Sequence, residues 1–358
     1  MKVTLSPKRT KTLLPTDILF QTLYWARVKS RLGQDSLAFD IFCHSSDYKG
    51  DVLVLLQGFG NDFLSAYIPQ GPEYAPQMEN YGLFLEELSE SLERHLDPGV
   101  AFIRYDLPWE SRYSLEIRQQ KLRTYPEPRI REMRMNMGTR SWNLRKASMD
   151  MTVASTLVVD IENSEKQILD RMKPKTRYNI GLAQRKGVKV NFGSLEHLPA
   201  FYDLYLQTAK RNSFTICSYD HFVALFEADL YDPGNCELMF LLTTHKDNLL
   251  AGAIVAVSGN TAHFLYGASS NEHRNLMGSY ALHWEAIRQA RLRGCIRYDM
   301  GAISPAHDQD HPFHGLYRFK TGFGGRIEMR SGSWDYPLDE QKYHAFNNAD
   351  NLSRNTAV

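Results

Sequence analysis

The chain has few cysteines, no long apolar run and almost no net charge, and each shortage removes a class of protein. Its four cysteines, Cys43, Cys217, Cys236 and Cys295, lie far apart in 358 residues, with no CxxC and no Cys/His zinc spacing. They read as buried or free thiols in a reducing compartment, and no disulfide is expected. No stretch approaches the run of about 18 apolar residues that a membrane span needs, and MKVTLSPKRTKTLLPTDILF has no continuous apolar core of signal-peptide length. A cytoplasmic protein is expected, with peripheral contact to a membrane face left open. The formal net charge is +1, from 42 basic and 41 acidic residues. That excludes a protein coating nucleic acid over many phosphates, but not a local basic patch for one end of an RNA. The run His307, Asp308, Asp310, His311, His314 fits no helical ligand spacing such as HExxH, so no metal is expected.

What is present is a chain longer than the roughly 100 to 200 residues of one domain, so two domains are expected. Helical periodicity covers Leu19 to Gly33 and Asn80 to Leu96. Strand patterns cover Leu37 to His44, Asp51 to Gly58 and, after Pro98-Gly99, Val100 to Tyr105. This β, β, helix, β order describes an α/β unit. From Arg112 to Lys146 ten basic residues stand against three acidic, and the stretch reads as an insertion or long loop. Its charge suits RNA or phosphates, or only keeps a connection soluble. A second unit opens with the strand Ser155 to Ile161, and Ser164 caps the helix that follows. Helices Leu195 to Arg211 and Ser218 to Leu230 come next, then a β meander from Glu237 to Tyr266, helix Gly278 to Arg293 and strand Cys295 to Met300.

Two segments carry the chemistry. KPKTRYNIGLAQRKGVKV, Lys173 to Val190, is a short helix with Pro174 in its first turn and Gly187 at its stop. Seven Lys or Arg and no acidic residue lie between Arg171 and Lys189. At 100° per residue, Lys175, Asn179 and Lys186 fall on one stripe suited to polyphosphate, although on charge alone a solvated face serves as well. The second segment is GLYRFKTGFGG, Gly315 to Gly325. Lys320 between Phe319 and Phe323 is expected to be partly desolvated, which suits it to an oxyanion forming in a transition state.

The set TRYN (Thr176 to Asn179) with Lys186-Gly187, YGAS (Tyr266 to Ser269), YDMG (Tyr298 to Gly301) and FKTGFGG (Phe319 to Gly325) resembles the Fem family of non-ribosomal peptidyltransferases. Gln21, Trp25, Lys29 and Gly33, and Gly71-Pro72, extend the resemblance over most of the chain. The likeness implies an α/β (α+β) fold of two GNAT-like acyltransferase domains packed as a pseudo-repeat. Residues 1–152 with 330–358 would form the first, on the precursor side, and residues 153–329 the second, on the aminoacyl-tRNA side. No coiled-coil arm interrupts the chain between Arg211 and Ser218, so it resembles the compact members.

The implied activity is tRNA-dependent transfer of an amino acid to the stem-peptide amine of a UDP-linked or lipid-linked muropeptide precursor. Aminoacyl-tRNA is then the co-substrate and no cofactor is needed. Lys320, with Phe319, is the candidate oxyanion donor. Asp106 and Asp299 are expected at strand ends, where the likeness makes either an acid or hydrogen-bond acceptor for the amine, and capping or bracing a loop is the alternative for each. The likeness assigns Lys29 and Arg211 to the precursor's diphosphate. Tyr266 is a candidate pocket wall, with core packing its equal alternative, and Lys175, Arg177 and Lys186 of the basic helix are candidates for tRNA or phosphate contact. An acyl-CoA-dependent N-acyltransferase is the first alternative. HRNLMGSYAL, His273 to Leu282, holds one glycine, Gly278, where that class carries a glycine-rich pyrophosphate turn. A non-catalytic binding module is the second, and it has no use for a lysine between two phenylalanines.

Overall fold

A computed structural model describes residues 1–44, 46–59, 63–122, 124–230, 236–305 and 314–355, with backbone alone at 59, 63 and 349–355. Its strands are β1 (Val3–Lys8), β2 (Ser36–Cys43), β3 (Tyr48–Phe59), β4 (Phe63–Ile68), β5 (Val100–Glu110), β6 (Arg145–Lys146), β7 (Ser155–Asp160), β8 (Lys189–Phe192), β9 (Cys236–His245), β10 (Asn248–Ser258), β11 (Thr261–Ser269), β12 (Arg297–Ala302) and β13 (Arg326–Pro337). They belong to two compact units. One comprises Met1–Leu14, Phe20–Ala154 and Met329–Val358, and the other Pro15–Leu19 and Ser155–Glu328.

In the first unit the strand order is β1-β2-β3-β4-β5-β13, with β6 on β13. Neighbours run antiparallel except β4 and β5. A parallel step needs a crossover, and the helix Tyr81–Glu93 supplies it. Its apolar residues Tyr81, Phe84, Leu85, Leu88 and Leu92 recur at helical spacing, and all are buried against the sheet. Arg104 and Asp335 face each other across β5 and β13 as a bidentate ion pair, Nε to Oδ1 and Nη2 to Oδ2 both at 2.7 Å.

The stretch from Arg112 to Lys146 is not the long loop its composition suggests. It forms helices Ser114–Arg118 and Pro128–Asn136, and two of its cations, Arg140 and Lys146, are paired inside the unit. Arg140 pairs with Glu86, Glu87 and Glu90, and Lys146 with Asp150 and the Ser333 carbonyl. Glu86, fully buried, also accepts from the Arg140 and Ser141 N–H groups, so hydrogen bonds hold its carboxyl below the usual value despite burial. The helix Tyr81–Glu93 meets the helix Pro128–Asn136 at Gly82, where a Cβ would come within 1.7 Å of the Met135 carbonyl oxygen. Gly82→Ala is therefore expected to destabilise the protein by about 1–3 kcal/mol or more, because backbone rather than a rotamer must yield. The denaturant midpoint checks this, and an unchanged midpoint contradicts the close approach.

The second unit repeats the plan, with order β7-β12-β11-β10-β9-β8. Its single parallel step joins β11 and β12, and the helix Gly278–Leu292 crosses it. Helix Pro174–Arg185 packs with that helix on one face of the sheet. Helices Leu198–Asn212 and Tyr219–Leu230 cover the other, with Phe201 against Phe240 and Phe222 against Tyr266. Ser164 caps helix Glu165–Arg171 through a capping box with Gln167. Residues 15–19, inside the stretch assigned to the first domain, pack here instead. The Thr16 carbonyl accepts from Ser258 Oγ at 2.7 Å, and Asp17 Oδ1 accepts from Asn260 N at 2.7 Å.

Matching the sheets position by position exposes an exchange. The strand that follows β5 and β6 in the chain, β7, pairs with β12, and the strand that follows β12, β13, pairs with β5.

Candidate active site

Three motifs converge on Lys320 within the second unit. YDMG lies in β12, where Asp299 Oδ1 accepts from the Gly301 N–H at 2.8 Å and Gly301 takes φ +73°. Only glycine holds that conformation cheaply. The register on β7 slips between Asp299 and Ala302, and pairing with β11 reaches no further than His263 opposite Asp299. Beyond that point β11 and β12 part. Lys320 closes the helix His314–Lys320 and sends its ammonium into the gap, donating to the Ala302 carbonyl at 2.7 Å and lying 5.9 Å from the centre of the Phe264 ring.

YGAS supplies the ring's surroundings. The pairing of β10 with β11 runs Val255 to Phe264 and then Ile254 to Tyr266, leaving Leu265 as an extra residue. A bulge of this kind reverses the alternation of faces. Phe264 therefore packs with the helix Gly278–Leu292, and its ring fills the room left by Gly267, where a Cβ would lie 2.3 Å from it. Tyr266 turns to the opposite face, against Phe222 and Tyr205, with its hydroxyl 2.7 Å from His221 Nε2. It is not a wall of the Lys320 site.

FKTGFGG and TRYN, separate in sequence, meet in space. Thr176 occupies the room left by Gly322, where a Cβ would lie 2.3 Å from its Oγ1. The Lys173 N–H donates to the Gly322 carbonyl at 2.9 Å, and Lys173 Nζ donates to Thr321 Oγ1 at 3.0 Å. This contact fixes the turn that carries Lys320. Phe319 and Phe323 pack edge to face at 5.4 Å.

Sequence reading missed His283. Its ring lies among Phe264, Phe319 and Phe323, and its Nδ1 shares a hydrogen bond with the Tyr298 hydroxyl at 3.0 Å. Burial, and secondarily the Lys320 charge, push its pKa down to about 3, so it stands as a neutral imidazole. A histidine on the apolar face of a buried helix, beside Leu282, Ala286 and Ile287, was the available signal. Lys320 is 5% exposed, and burial lowers its pKa to about 8 against the opposing pull of Asp299. The ammonium has three N–H donors and one bond to a carbonyl among the described residues, which leaves two for an oxyanion.

The other candidates do not gather here. Asp106 lies in the first unit, within β5 rather than at a strand end. Its Oδ2 accepts from the Thr152 N–H at 3.0 Å and its Oδ1 from Ser333 Oγ at 2.9 Å. Burial raises its pKa against those bonds, and its geometry is that of a brace. Asp299 likewise sits within β12, not at its end. Arg177 donates Nη1 to the Leu169 and Asp170 carbonyls, both at 3.3 Å, and to that of Met172, capping the preceding helix.

The stripe of Lys175, Asn179 and Lys186 breaks up as well. Lys175 is exposed and Asn179 buried, while Lys186 lies past the helix end with its Nζ on the Asn275 carbonyl at 3.0 Å. Arg211 joins helix Leu198–Asn212 to the end of β11 through the Ser269 carbonyl, Ser269 Oγ and Asn271 Oδ1, at 3.0, 3.1 and 3.0 Å. Lys29, in the first unit, lies over the Trp25 ring at 5.0 Å. Gly278 serves packing, since a Cβ there would meet Leu250 Cβ at 2.9 Å. Among the described residues no cluster of His, Cys, Asp and Glu can hold a metal, and His307, Asp308, Asp310 and His311 lie outside them. No helix among the described residues is long and apolar enough to cross a membrane.

Two sheets of one design, each with a helix over its single parallel step, define a pseudo-repeated GNAT-like protein. The chain belongs to the FemAB family, whose profile matches residues 14–245 and 237–351. The crystal structure of FemX superposes with a TM-score of 0.72 at 18% identity, covering 94% of this chain and 96% of that one. A tandem GNAT protein from the clavulanic acid biosynthesis pathway gives 0.50 at 12% identity, covering 94% and 98%. Among curated relatives, the lipid II:glycine glycyltransferase of Staphylococcus epidermidis is 23% identical over 248 residues, 53% of this chain and 59% of the relative. That of Staphylococcus aureus strain USA300 is 21% identical over 252 residues, 52% of this chain and 60% of the relative. The match thus spans less than two thirds of these relatives' length.

Proposed function

We propose that this protein transfers an aminoacyl group from aminoacyl-tRNA to the stem-peptide amine of a peptidoglycan precursor on the cytoplasmic side, with Lys320 as the oxyanion donor. Relatives named for glycyl transfer to lipid II support the acceptor class. The observation that carries the reading is the buried Lys320 ammonium, bonded to a carbonyl and lying over an aromatic ring. The amine nitrogen attacks the ester carbonyl carbon, whose π electrons move to oxygen. The resulting oxyanion takes the free N–H donors of Lys320 in a site that water screens poorly. Collapse expels the ribose oxygen, which takes up a proton while the amine gives one up. The diphosphate contacts proposed for Lys29 and Arg211 are secondary, since Arg211 already uses its guanidinium on Ser269 and Asn271.

The test is incubation with a pool of labelled aminoacyl-tRNAs and a lipid-linked or UDP-linked pentapeptide, followed by mass measurement, with acyl-CoA as the competing donor. Mass gain with aminoacyl-tRNA alone is expected, and acylation from acyl-CoA alone overturns the reading. The pH dependence of transfer separates two roles for the lysine. A donor must be protonated, so the rate is expected to fall as pH rises through about 8, the value to which burial lowers Lys320. A rate that instead climbs through the same region in the wild type, with the climb lost in Lys320→Met, assigns Lys320 the amine's proton.

A further inference from the structure

The first unit holds a cavity that this chemistry leaves unused. Arg112, Tyr113, Arg131, Met135, Ser331 and Trp334 line about 20 Å³, room for a water or for the two oxygens of a small planar group. Four donor atoms around it are buried and meet no hydrogen-bond acceptor among the described residues: Nε and Nη2 of Arg112, Nε of Arg131 and the hydroxyl of Tyr113. Tyr113 is only 4% exposed. Buried polar groups in native proteins nearly always have partners, so a cluster of orphaned groups in which guanidinium donors outnumber the one hydroxyl marks a site for an anion.

The cations are also fixed in place. The Arg112 guanidinium lies over Tyr81 at 5.5 Å, Arg131 over Tyr125 at 5.0 Å and Arg134 over Tyr113 at 5.1 Å, and Arg131 Nη2 donates to the Ser331 carbonyl at 3.3 Å. Burial disfavours the charged forms of both Arg112 and Arg131, a cost that an anion offsets.

Nε and Nη2 of a guanidinium share one edge, the edge that accepts a carboxylate through two parallel hydrogen bonds. Arg104 of this same unit uses it on Asp335, with both bonds at 2.7 Å. The geometry points to a carboxylate-binding site in the first unit, with the Arg112 edge taking both oxygens and Arg131 Nε and the Tyr113 hydroxyl completing the shell. A planar two-oxygen group suits a space of about 20 Å³ better than a tetrahedral phosphate, which brings four oxygens to the same donors. The ligand is a small organic acid or the free C-terminus of a peptide. The site is independent of Lys320, which lies in the other unit, and it is read by binding alone.

The experiment titrates the full-length protein at constant ionic strength with acetate, with alanyl-alanine, with alanyl-alanine amide and with inorganic phosphate, against chloride. Calorimetry and the thermal midpoint are the readouts. Acetate or the free dipeptide is expected to bind in about the millimolar range, about 4 kcal/mol, and the amide not at all. Tenfold tighter binding of the dipeptide than of acetate identifies a peptide terminus, and equal binding a small acid. Arg112→Lys keeps the charge but loses the edge, and is expected to weaken binding at least tenfold with an unchanged midpoint in chloride. Acetate and dipeptide indistinguishable from chloride overturn the proposal, as does phosphate binding tenfold tighter than either carboxylate. The wild-type titration decides even where a variant fails to fold.

Discussion

Lys320→Met is expected to lower turnover about a hundredfold and to leave the KM for precursor near its wild-type value, the usual effect of removing one oxyanion donor. Methionine is close in length and apolar, and the surroundings it would enter are Phe264 and Phe319. Removing a buried charge that is bonded to a carbonyl relieves desolvation, so the thermal midpoint is expected to hold or rise. That combination separates chemistry from folding. Single-turnover transfer with purified aminoacyl-tRNA measures the effect, and a rate within about threefold of wild type removes the ammonium from the mechanism. The variant also loses the alkaline fall in rate near pH 8, because the group whose pKa burial lowers is gone.

Asp335→Ala is expected to carry the largest stability cost, about 3–5 kcal/mol, because it strands a buried guanidinium. The side chains of Arg104 and Asp335 are 7% and 0% exposed, and Asp335 Oδ2 also accepts from the Tyr343 hydroxyl at 3.0 Å. The change therefore loosens the helix Glu340–Asn355 as well, whose Tyr343 and Phe346 pack on Phe102. Replacing both partners with apolar residues, Arg104→Met with Asp335→Leu, is expected to recover most of the loss, since no uncompensated charge remains. Chemical denaturation measures each. A single variant costing under about 1 kcal/mol contradicts the buried pair.

Local signals survived into the structure where one residue decides one bond. Pro174 opens its helix, Ser164 caps the one before, and Gly187 takes φ +76° after the stop. Strands β1 and β4 escaped notice for physical reasons. β1 is an edge strand with Pro7 inside it and Ser6 and Pro7 exposed, and β4 is six residues long. The basic stretch from Arg112 was misread because composition counts charges without their partners, and Glu86, Glu87 and Glu90 lie 50 or so residues away in sequence.

The motifs that carry the family likeness were legible as letters, yet their meaning is tertiary. Thr176 and Gly322 are a packing contact, Arg177 is a helix cap, and one extra residue at Leu265 sends Tyr266 to the face opposite Phe264. No periodicity in a single sequence announces that bulge. Lys320 was found from its flanking phenylalanines, yet the ring beside its ammonium is Phe264, which is distant in the chain.

The crossing of β7 and β13 between the halves sets a timetable for synthesis. As the chain leaves the ribosome, the amino-terminal sheet cannot close until Pro337 has emerged, because its final ribbon is translated last. The carboxy-terminal sheet has every ribbon it needs once Ala302 is made. The portion encoded first is thus the last to finish, and through most of translation the nascent chain exposes an open β5 margin.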